Sequence, residues 1–373
     1  MIDRKLKKIV EEKLYSGKAI IILGAWQVGK TTLIQQLFSN REDVLSLNGD
    51  EVDVQNVFAE MSSTRFKAIF GNKKVIVLDE AQRIANIGLR MKLITDILPE
   101  YQLIVTGSSA FELSNKLNEP LTGRKWEYNM FPLSFGEMVE HHGLLEEKRL
   151  IPHRMVYGYY PEVVTHQGSE MSILKQLSDS YLFKDVLMLE QVKRPDNLVK
   201  LLQALAFQVG SQVSYTELGQ LCGLDAKTVE KYIVLLEQCY ILFRLGSFSR
   251  NLRNELKFSK KIYFFDNGIR NALISNFSQV ENRADVGVLW ENFLISERLK
   301  QNHYSLQWTN SWFWRTKQQV EIDYIEEQNG QLSAYEFKWS PKTKYRQPKS
   351  FRETYPDATF KIIHKDNVDE FLL

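Results

Sequence analysis

The apolar positions of this chain change period along its length. Residues 3–15 set Leu6, Ile9, Val10 and Leu14 in one stripe among charges, which predicts an amphipathic helix. Short apolar runs follow at residues 19–23, 44–47, 74–78 and 101–106, each predicting a buried strand. Helix-like stretches at 32–38 and 110–117 accompany them, so the first part reads as α/β. The period then becomes helical. A long amphipathic helix is predicted over 172–193, with Leu174, Leu177, Tyr181, Phe183 and Leu187 among its apolar positions, and another over 197–209. Two shorter helices, Tyr215–Cys222 and Ala226–Gln238, are separated by Gly223-Leu224-Asp225, with Asp225 suited to cap the second. The last part returns to strands, at 261–265, 320–325, 332–339 and 359–363, with helices over 286–300 and around 345–354.

Helix, glycine turn and second helix form a helix-turn-helix pattern. Val229, Ile233 and Leu236 fall on its inward face, while Lys227, Glu230 and Lys231 stay outside. A strand at 241–245 with Phe248 would form a wing, giving a winged helix. DNA contact and domain packing are both open for this module, since Glu230 would oppose phosphate. Arg244, Arg250, Arg253, Lys257, Lys260 and Lys261, interrupted only by Glu255, suit either phosphate contact or a solvated connector. Tyr157-Gly158-Tyr159-Tyr160-Pro161-Glu162 reads as an aromatic turn.

Composition narrows this picture. A chain of 373 residues implies two or three domains, and 44% apolar with 25% charged residues is ordinary for a globular protein. A net charge of +2 leaves any nucleic-acid surface to local patches. Cys222 and Cys239 sit among apolar neighbours as core residues, and six histidines show no metal-ligand spacing. The N-terminus lacks a signal-peptide core and no run reaches membrane-spanning length, so a cytoplasmic protein without membrane partners is expected. No internal repeat is visible.

The chemistry centres on Gly24-Ala25-Trp26-Gln27-Val28-Gly29-Lys30-Thr31, between the strand at 19–23 and the helix opening at Thr32. This is the phosphate-binding P-loop spacing. The glycines let backbone approach phosphate, and successive N–H groups with the helix N-terminus form an anion site. Lys30 would neutralise the β- and γ-phosphates, and the Thr31 hydroxyl would hold Mg²⁺. The strand at 74–78 ends in Asp79-Glu80. Asp79 would hold the metal through water and Glu80 would polarise the attacking water, the division of labour that phosphoryl transfer needs. After the strand at 101–106 comes Gly107-Ser108-Ser109. Ser108 or Ser109 could contact the γ-phosphate, or simply cap the following helix.

These elements occur in the order Walker A, Asp79-Glu80-Ala81-Gln82, Thr106-Gly107-Ser108-Ser109, Gly123-Arg124, then Pro132-Leu133-Ser134-Phe135-x-Glu137. The chain thereby resembles the prokaryotic AAA-family ATPases that carry a C-terminal domain of unknown function. The resemblance implies ATP as the nucleotide, Ser108 or Ser109 in the sensor position, and Arg124 as an arginine finger or phosphate sensor. A surface ion pair is the other reading of Arg124. The family usually has arginine where Trp26 stands, and a similar Gly-x-Pro-Glu motif opens its C-terminal part. It also tends to have an acid where Asp185 stands.

In the last part, Glu321 and Asp323 share one strand face, and Glu336 and Lys338 share a face of the next strand. Asp followed by Glu-x-Lys on adjacent strands resembles the core of the restriction-endonuclease-like superfamily. Asp323 and Glu336 would ligate Mg²⁺ through oxygen, Glu291 on the preceding helix would be the usual fourth member, and Lys338 would orient water. The expected architecture is an AAA-type P-loop domain over 1–140, a helical connector over 141–195, a winged helix over 196–255 and a restriction-endonuclease-like α/β domain over 256–373. Three functions remain open: an ATPase controlling a Mg²⁺-dependent DNA-cleaving domain, a nucleotide-switched scaffold that docks DNA or protein without cleaving, and a homo-oligomeric remodeller dependent on Arg124.

Overall fold

The computed structural model describes residues 2–59, 62–107, 121–181, 195–249, 260–343 and 345–373. By its internal packing the chain divides into one unit of residues 1–132 with 238–240, and a second of residues 133–237 with 241–373.

In the first unit, β1 (Ala19–Gly24), β2 (Val44–Asn48), β3 (Val75–Asp79), β4 (Gln102–Gly107) and β5 (Lys125–Met130) form a parallel sheet in the order β2-β3-β4-β1-β5. All residues of β1 and β4 are buried, which is why their sequences are continuous apolar runs rather than alternating ones. Helix α1 (Lys5–Glu11) buries Leu6 and Val10, and α2 (Lys30–Phe38) buries Leu33, Ile34 and Phe38. The first helix is shorter than its apolar stripe predicts. The chain leaves it through Tyr15 and Gly17, both at positive φ (60° and 76°), so Leu14 falls outside the helix.

The second unit opens on Ser134, whose hydroxyl caps the helix Phe135–His142 while the Glu137 carboxylate reaches back to the Ser134 N–H. The Pro-Leu-Ser-Phe-x-Glu run is thus a capping box. Its Phe135 N–H donates to Glu297 (2.6 Å) on the long helix Val286–Tyr304, and Glu297 is ion-paired with buried Lys300 (2.6 Å). Of the helix predicted over 172–193, the described part is an α-helix Glu170–Gln176 that passes into a π-helical turn, Leu177–Tyr181. Phe183, Asp185 and Leu187 lie outside the described residues. Pro195–Phe207, Tyr215–Cys222 and Ala226–Gln238 are helices, and Asp225 caps the last by accepting from the Thr228 N–H (2.9 Å).

Six strands make the second sheet: β6 (Leu242–Ser247), β7 (Lys261–Phe264), β8 (Asn310–Arg315), β9 (Glu321–Gln328), β10 (Gln331–Phe337) and β11 (Thr359–Ile363), in the order β11-β10-β9-β8-β6-β7. β6 therefore does more than pair with β7 as a wing strand would. It also runs parallel to β8, with Gly246 opposite Trp312. β8 escapes a reading of alternation because Trp312, Phe313 and Trp314 are consecutive, and its pairing with β9 is irregular between Trp312 and Trp314. Among the described residues no helix is long and apolar enough to cross a membrane.

A buried carboxylate organises the aromatic turn. Gly158 has φ 72°, and a Cβ there would lie 2.0 Å from Oδ1 of Asp266. Asp266 accepts from the N–H groups of Tyr159 (2.6 Å) and Ile269 (3.1 Å). Burial raises its pKa, against the opposing pull of Lys300 and of these backbone donors. Pro161 then occupies the first turn of the helix Pro161–Thr165. The turn is glycine-dependent for two independent reasons, backbone conformation and the seat of Asp266. Gly158→Ala is expected to cost about 2 kcal/mol or more of unfolding free energy, read by urea titration; an unchanged midpoint would contradict this account.

Candidate functional site

β1 delivers the chain to the P-loop at Gly24, and here glycine is demanded by the sheet itself. A Cβ on Gly24 would stand 2.2 Å from the Met130 carbonyl oxygen of β5. The loop then turns through Gln27 (φ 58°) and Gly29 (φ 95°), and α2 begins at Lys30. The N–H groups of a helix's first turn lack intrahelical partners, so this start has the donors that an anion would need. Lys30 is 6% exposed, and its Nζ donates to the carbonyls of Gly24 (3.0 Å) and Ala25 (2.9 Å). The ammonium is folded onto the loop that a phosphate would enter.

Thr31 Oγ1 donates to Asp79 Oδ2 (2.8 Å). The other carboxylate oxygen of Asp79 accepts from the Thr106 hydroxyl of β4 and from the Glu80 N–H. Glu80 itself sits at φ 50°, a left-handed conformation that costs a non-glycine residue energy and concentrates at functional sites. The Gln82 amide donates to the Glu80 carboxylate. Gly49, at the end of β2, gives Glu80 its place: its N–H donates to the Asp79 carbonyl (2.8 Å), and a Cβ there would meet the Glu80 carbonyl oxygen at 2.5 Å. Residues 24–32, Asp79 and Glu80 thus converge on one edge of the sheet.

Arg124 does not join them. It precedes β5, and its carbonyl accepts from the Ala19 N–H at the beginning of β1, whereas the P-loop follows the end of that strand. Six residues of strand separate the two edges, about 16 Å at the usual rise. The Arg124 guanidinium is ion-paired with Asp96. Ser108 and Ser109 lie outside the described residues. The strand-end hydroxyl that reaches Asp79 belongs to Thr106.

The donor set fits Mg²⁺ with a nucleotide triphosphate. The Thr31 hydroxyl and Asp79 carboxylate are adjacent hard oxygen donors, with an ammonium and a helix N-terminus alongside. When bound, Mg²⁺ would offset the charge on the phosphates.

The second cluster lies on the sheet of the second unit. Antiparallel pairing sets Tyr335 opposite Tyr324, which puts Asp323 beside Glu336. The Phe337 N–H donates to Asp323 Oδ2 (2.7 Å), and Lys338 is ion-paired with Glu336 (2.6 Å). Among the described residues, none donates a hydrogen bond to the buried Oε2 of Glu336. Glu291 is held by Lys261 (3.1 Å) and the Tyr263 hydroxyl (2.6 Å), both on β7. Lys261 is 2% exposed and also pairs with Glu321 (2.5 Å).

Burial alone would lower the pKa of Lys261, but Glu291 and Glu321 more than reverse this and hold it protonated. Asp323 lies well above the ordinary carboxyl range, through burial first and then the charges of Glu291 and Glu336. Glu336 is raised by burial, with Lys338 opposing. Among the described residues no three acidic, histidine or cysteine side chains gather closely enough to hold a metal ion. The expected trio of Glu291, Asp323 and Glu336 is a set of electrostatic neighbours whose acids are met by two lysines, and this arrangement does not fit a metal bound among three carboxylates.

Residues 16–139 match the AAA domain family. Residues 148–280 and 286–370 match two domains of unknown function, DUF8612 and DUF4143. The Walker-type ATPase PABY2304 of Pyrococcus abyssi shares the fold over 74% of this chain and 96% of its own, with a TM-score of 0.52 and 15% identity. Residues 16–139 form an AAA-type P-loop domain. Uncharacterised relatives span most of the chain. One from Haemophilus influenzae is 26% identical over 81% of this chain and 76% of its own length, and MJ1544 of Methanocaldococcus jannaschii is 22% identical over 95% and 83%.

Around the AAA-type site, Thr106, Gly49 and Gln82 carry contacts that sequence spacing did not single out. In the second cluster Lys261 and Tyr263 were likewise missed as partners of Glu291. Asp323 offers a check on the electrostatics. Below about pH 4 a carboxyl is protonated in folded and unfolded chains alike. A raised native pKa means that stability is lost as pH climbs through it. Asp323→Asn should therefore melt close to wild type in acid and gain on it progressively toward neutral pH. A melting difference independent of pH would refute the assignment.

Proposed function

We propose that this chain binds Mg²⁺–ATP at the P-loop and hydrolyses it, and that nucleotide state governs a C-terminal part that docks DNA or protein without cleaving. The observation that carries the ATP reading is the convergence of Lys30, Thr31 and Asp79 at the start of α2. Arriving phosphate would draw the Lys30 ammonium from the Gly24 and Ala25 carbonyls. Thr31 and Asp79 would hold the metal. Glu80, one residue beyond the metal-holding acid, would orient the attacking water as base. ATP rather than GTP rests on the family resemblance, since the sequence has no Asn-Lys-x-Asp motif.

A binding role for the C-terminal part is favoured over nuclease chemistry by the two lysines. Lys261 sits between Glu291 and Glu321, and Lys338 on Glu336, so these three glutamates are already paired with cations of the chain. The winged-helix reading of residues 196–255 is supported by the order of its described parts: the helices Pro195–Phe207, Tyr215–Cys222 and Ala226–Gln238, then β6. Within its basic run, Arg244 is committed to Glu237 (2.5 Å) and Lys261 to acids, which leaves fewer cations for phosphate than the sequence suggests. The restriction-endonuclease-like reading of the last part is supported by the order of its helix and strands alone.

Phosphate release tests the first half. Lys30→Ala should abolish nucleotide binding, and Glu80→Gln should bind ATP but turn it over about 10²–10⁴ times more slowly. Wild-type rates in both would remove the reading. For the second half, supercoiled plasmid incubated with Mg²⁺ should remain intact with ATP, ADP or no nucleotide. Nicking that disappears in both Asp323→Ala and Lys338→Ala would establish a nuclease instead.

A further inference from the structure

Arg4 stands just before α1 among the lysines of the N-terminus, yet it is 6% exposed. Its Nη1 donates to the Val28 carbonyl (2.7 Å) and its Nη2 to the Phe131 carbonyl (2.6 Å). Val28 belongs to the P-loop, and Phe131 follows the last residue of β5. The guanidinium also lies near Gly29: a Cβ built there would be 3.7 Å from Nη1. One planar fork thus spans the loop and the strand beside it. The segment that carries it is anchored independently, by buried Leu6 and Val10 and by the Gln36 amide donating to the Ile2 carbonyl (3.3 Å).

The acceptor matters more than the bond. The Val28 carbonyl and the Gly29 N–H belong to one peptide plane, and in a trans peptide they point in opposite directions. None of the peptide bonds is cis among the described residues. Fixing the carbonyl on Arg4 therefore aims the Gly29 N–H away from Arg4. Gly29 has φ 95°, a conformation open to peptide rotation, so without an anchor this plane is free to turn. A cation on the carbonyl also polarises the peptide and strengthens its N–H as a donor.

We infer that Arg4 is a positioning residue of the nucleotide site, locking the Val28–Gly29 peptide so that the Gly29 N–H is presented to a bound phosphate. The inference rests on the ATP-binding reading above. Arg4 touches neither phosphate nor metal in this role. It acts through the loop, and its contact with Phe131 references the loop to β5.

The test compares wild type, Arg4→Gln and Arg4→Lys for ATP Kd, KM, saturating turnover and melting temperature, below the melting range of each. A contact made equally to bound substrate and transition state changes KM and leaves kcat. Arg4→Gln should raise Kd and KM for ATP together by about tenfold, the worth of one charged hydrogen bond, with a smaller change in saturating turnover. Arg4→Lys, which keeps the charge but cannot span both carbonyls, should fall between. Arg4→Gln with a lowered melting temperature but wild-type Kd and KM would overturn the inference and leave Arg4 a packing residue. Should Arg4→Gln not fold, Arg4→Lys decides: weakened ATP binding in a folded protein supports the inference, and wild-type binding overturns it. A wild-type chain that binds no ATP overturns the nucleotide reading itself, an outcome distinct from unaltered binding in the Arg4 variants.

Discussion

The Asp79 carboxylate ties together three strand ends. It takes hydrogen bonds from Thr31 at the start of α2, from Thr106 on β4 and from the Glu80 N–H that follows β3. These groups are far apart in sequence and meet only because β1, β3 and β4 are parallel and in register. In such sheets the crevice beyond the carboxyl ends of the strands is where ligands bind. Thr31 has one hydroxyl and Asp79 one carboxylate, so a shift of register by one residue would separate them. The glycines serve the same constraint. Gly24 admits the Met130 carbonyl and Gly49 admits that of Glu80, so both set how closely neighbouring backbones approach.

The second unit handles charge differently. Its acids and lysines are largely withdrawn from water and neutralise one another: Lys261 with Glu291 and Glu321, Lys300 with Glu297, Lys338 with Glu336. Such pairs contribute little net stability, because desolvation offsets their attraction, but losing one partner is costly. Among them, Lys261 on β7 with Glu291 joins the sheet face to the long helix Val286–Tyr304. In the first unit, by contrast, Lys30 bonds to neutral carbonyls, which give it up to a phosphate more readily than a carboxylate would.

The contrast explains what the sequence revealed. The P-loop, its flanking strand and helix, and the Asp79-Glu80 pair were legible because fully buried parallel strands read as unbroken apolar runs and phosphate loops keep a fixed spacing. The helices Tyr215–Cys222 and Ala226–Gln238 and the cap at Asp225 were legible from local capping chemistry. Arg4 was hidden because one arginine beside Lys5, Lys7 and Lys8 resembles a solvated face. Lys261 was hidden inside a basic run whose other members suggested an exposed patch. Arg124, offered by resemblance as a phosphate-contacting arginine and otherwise as a surface ion pair, stands at the other edge of the sheet, paired with Asp96. The partners of Arg4 and Lys261 are distant in sequence, which periodicity and spacing cannot encode.

The sheet order β11-β10-β9-β8-β6-β7 also bears on how the chain can be dissected. A cut at residue 255 falls between β6 and β7, which are hydrogen-bonded partners. A fragment beginning there would keep β7 without its neighbour and leave β8 with a bare rim of unpaired amides, the kind of edge that recruits other chains. Asp266 would also lose the Tyr159 N–H that it accepts. Excision of the last part as a soluble piece is therefore prone to aggregation, since the compact unit that holds this sheet takes in Leu133–Glu237 as well as Ile241–Leu373.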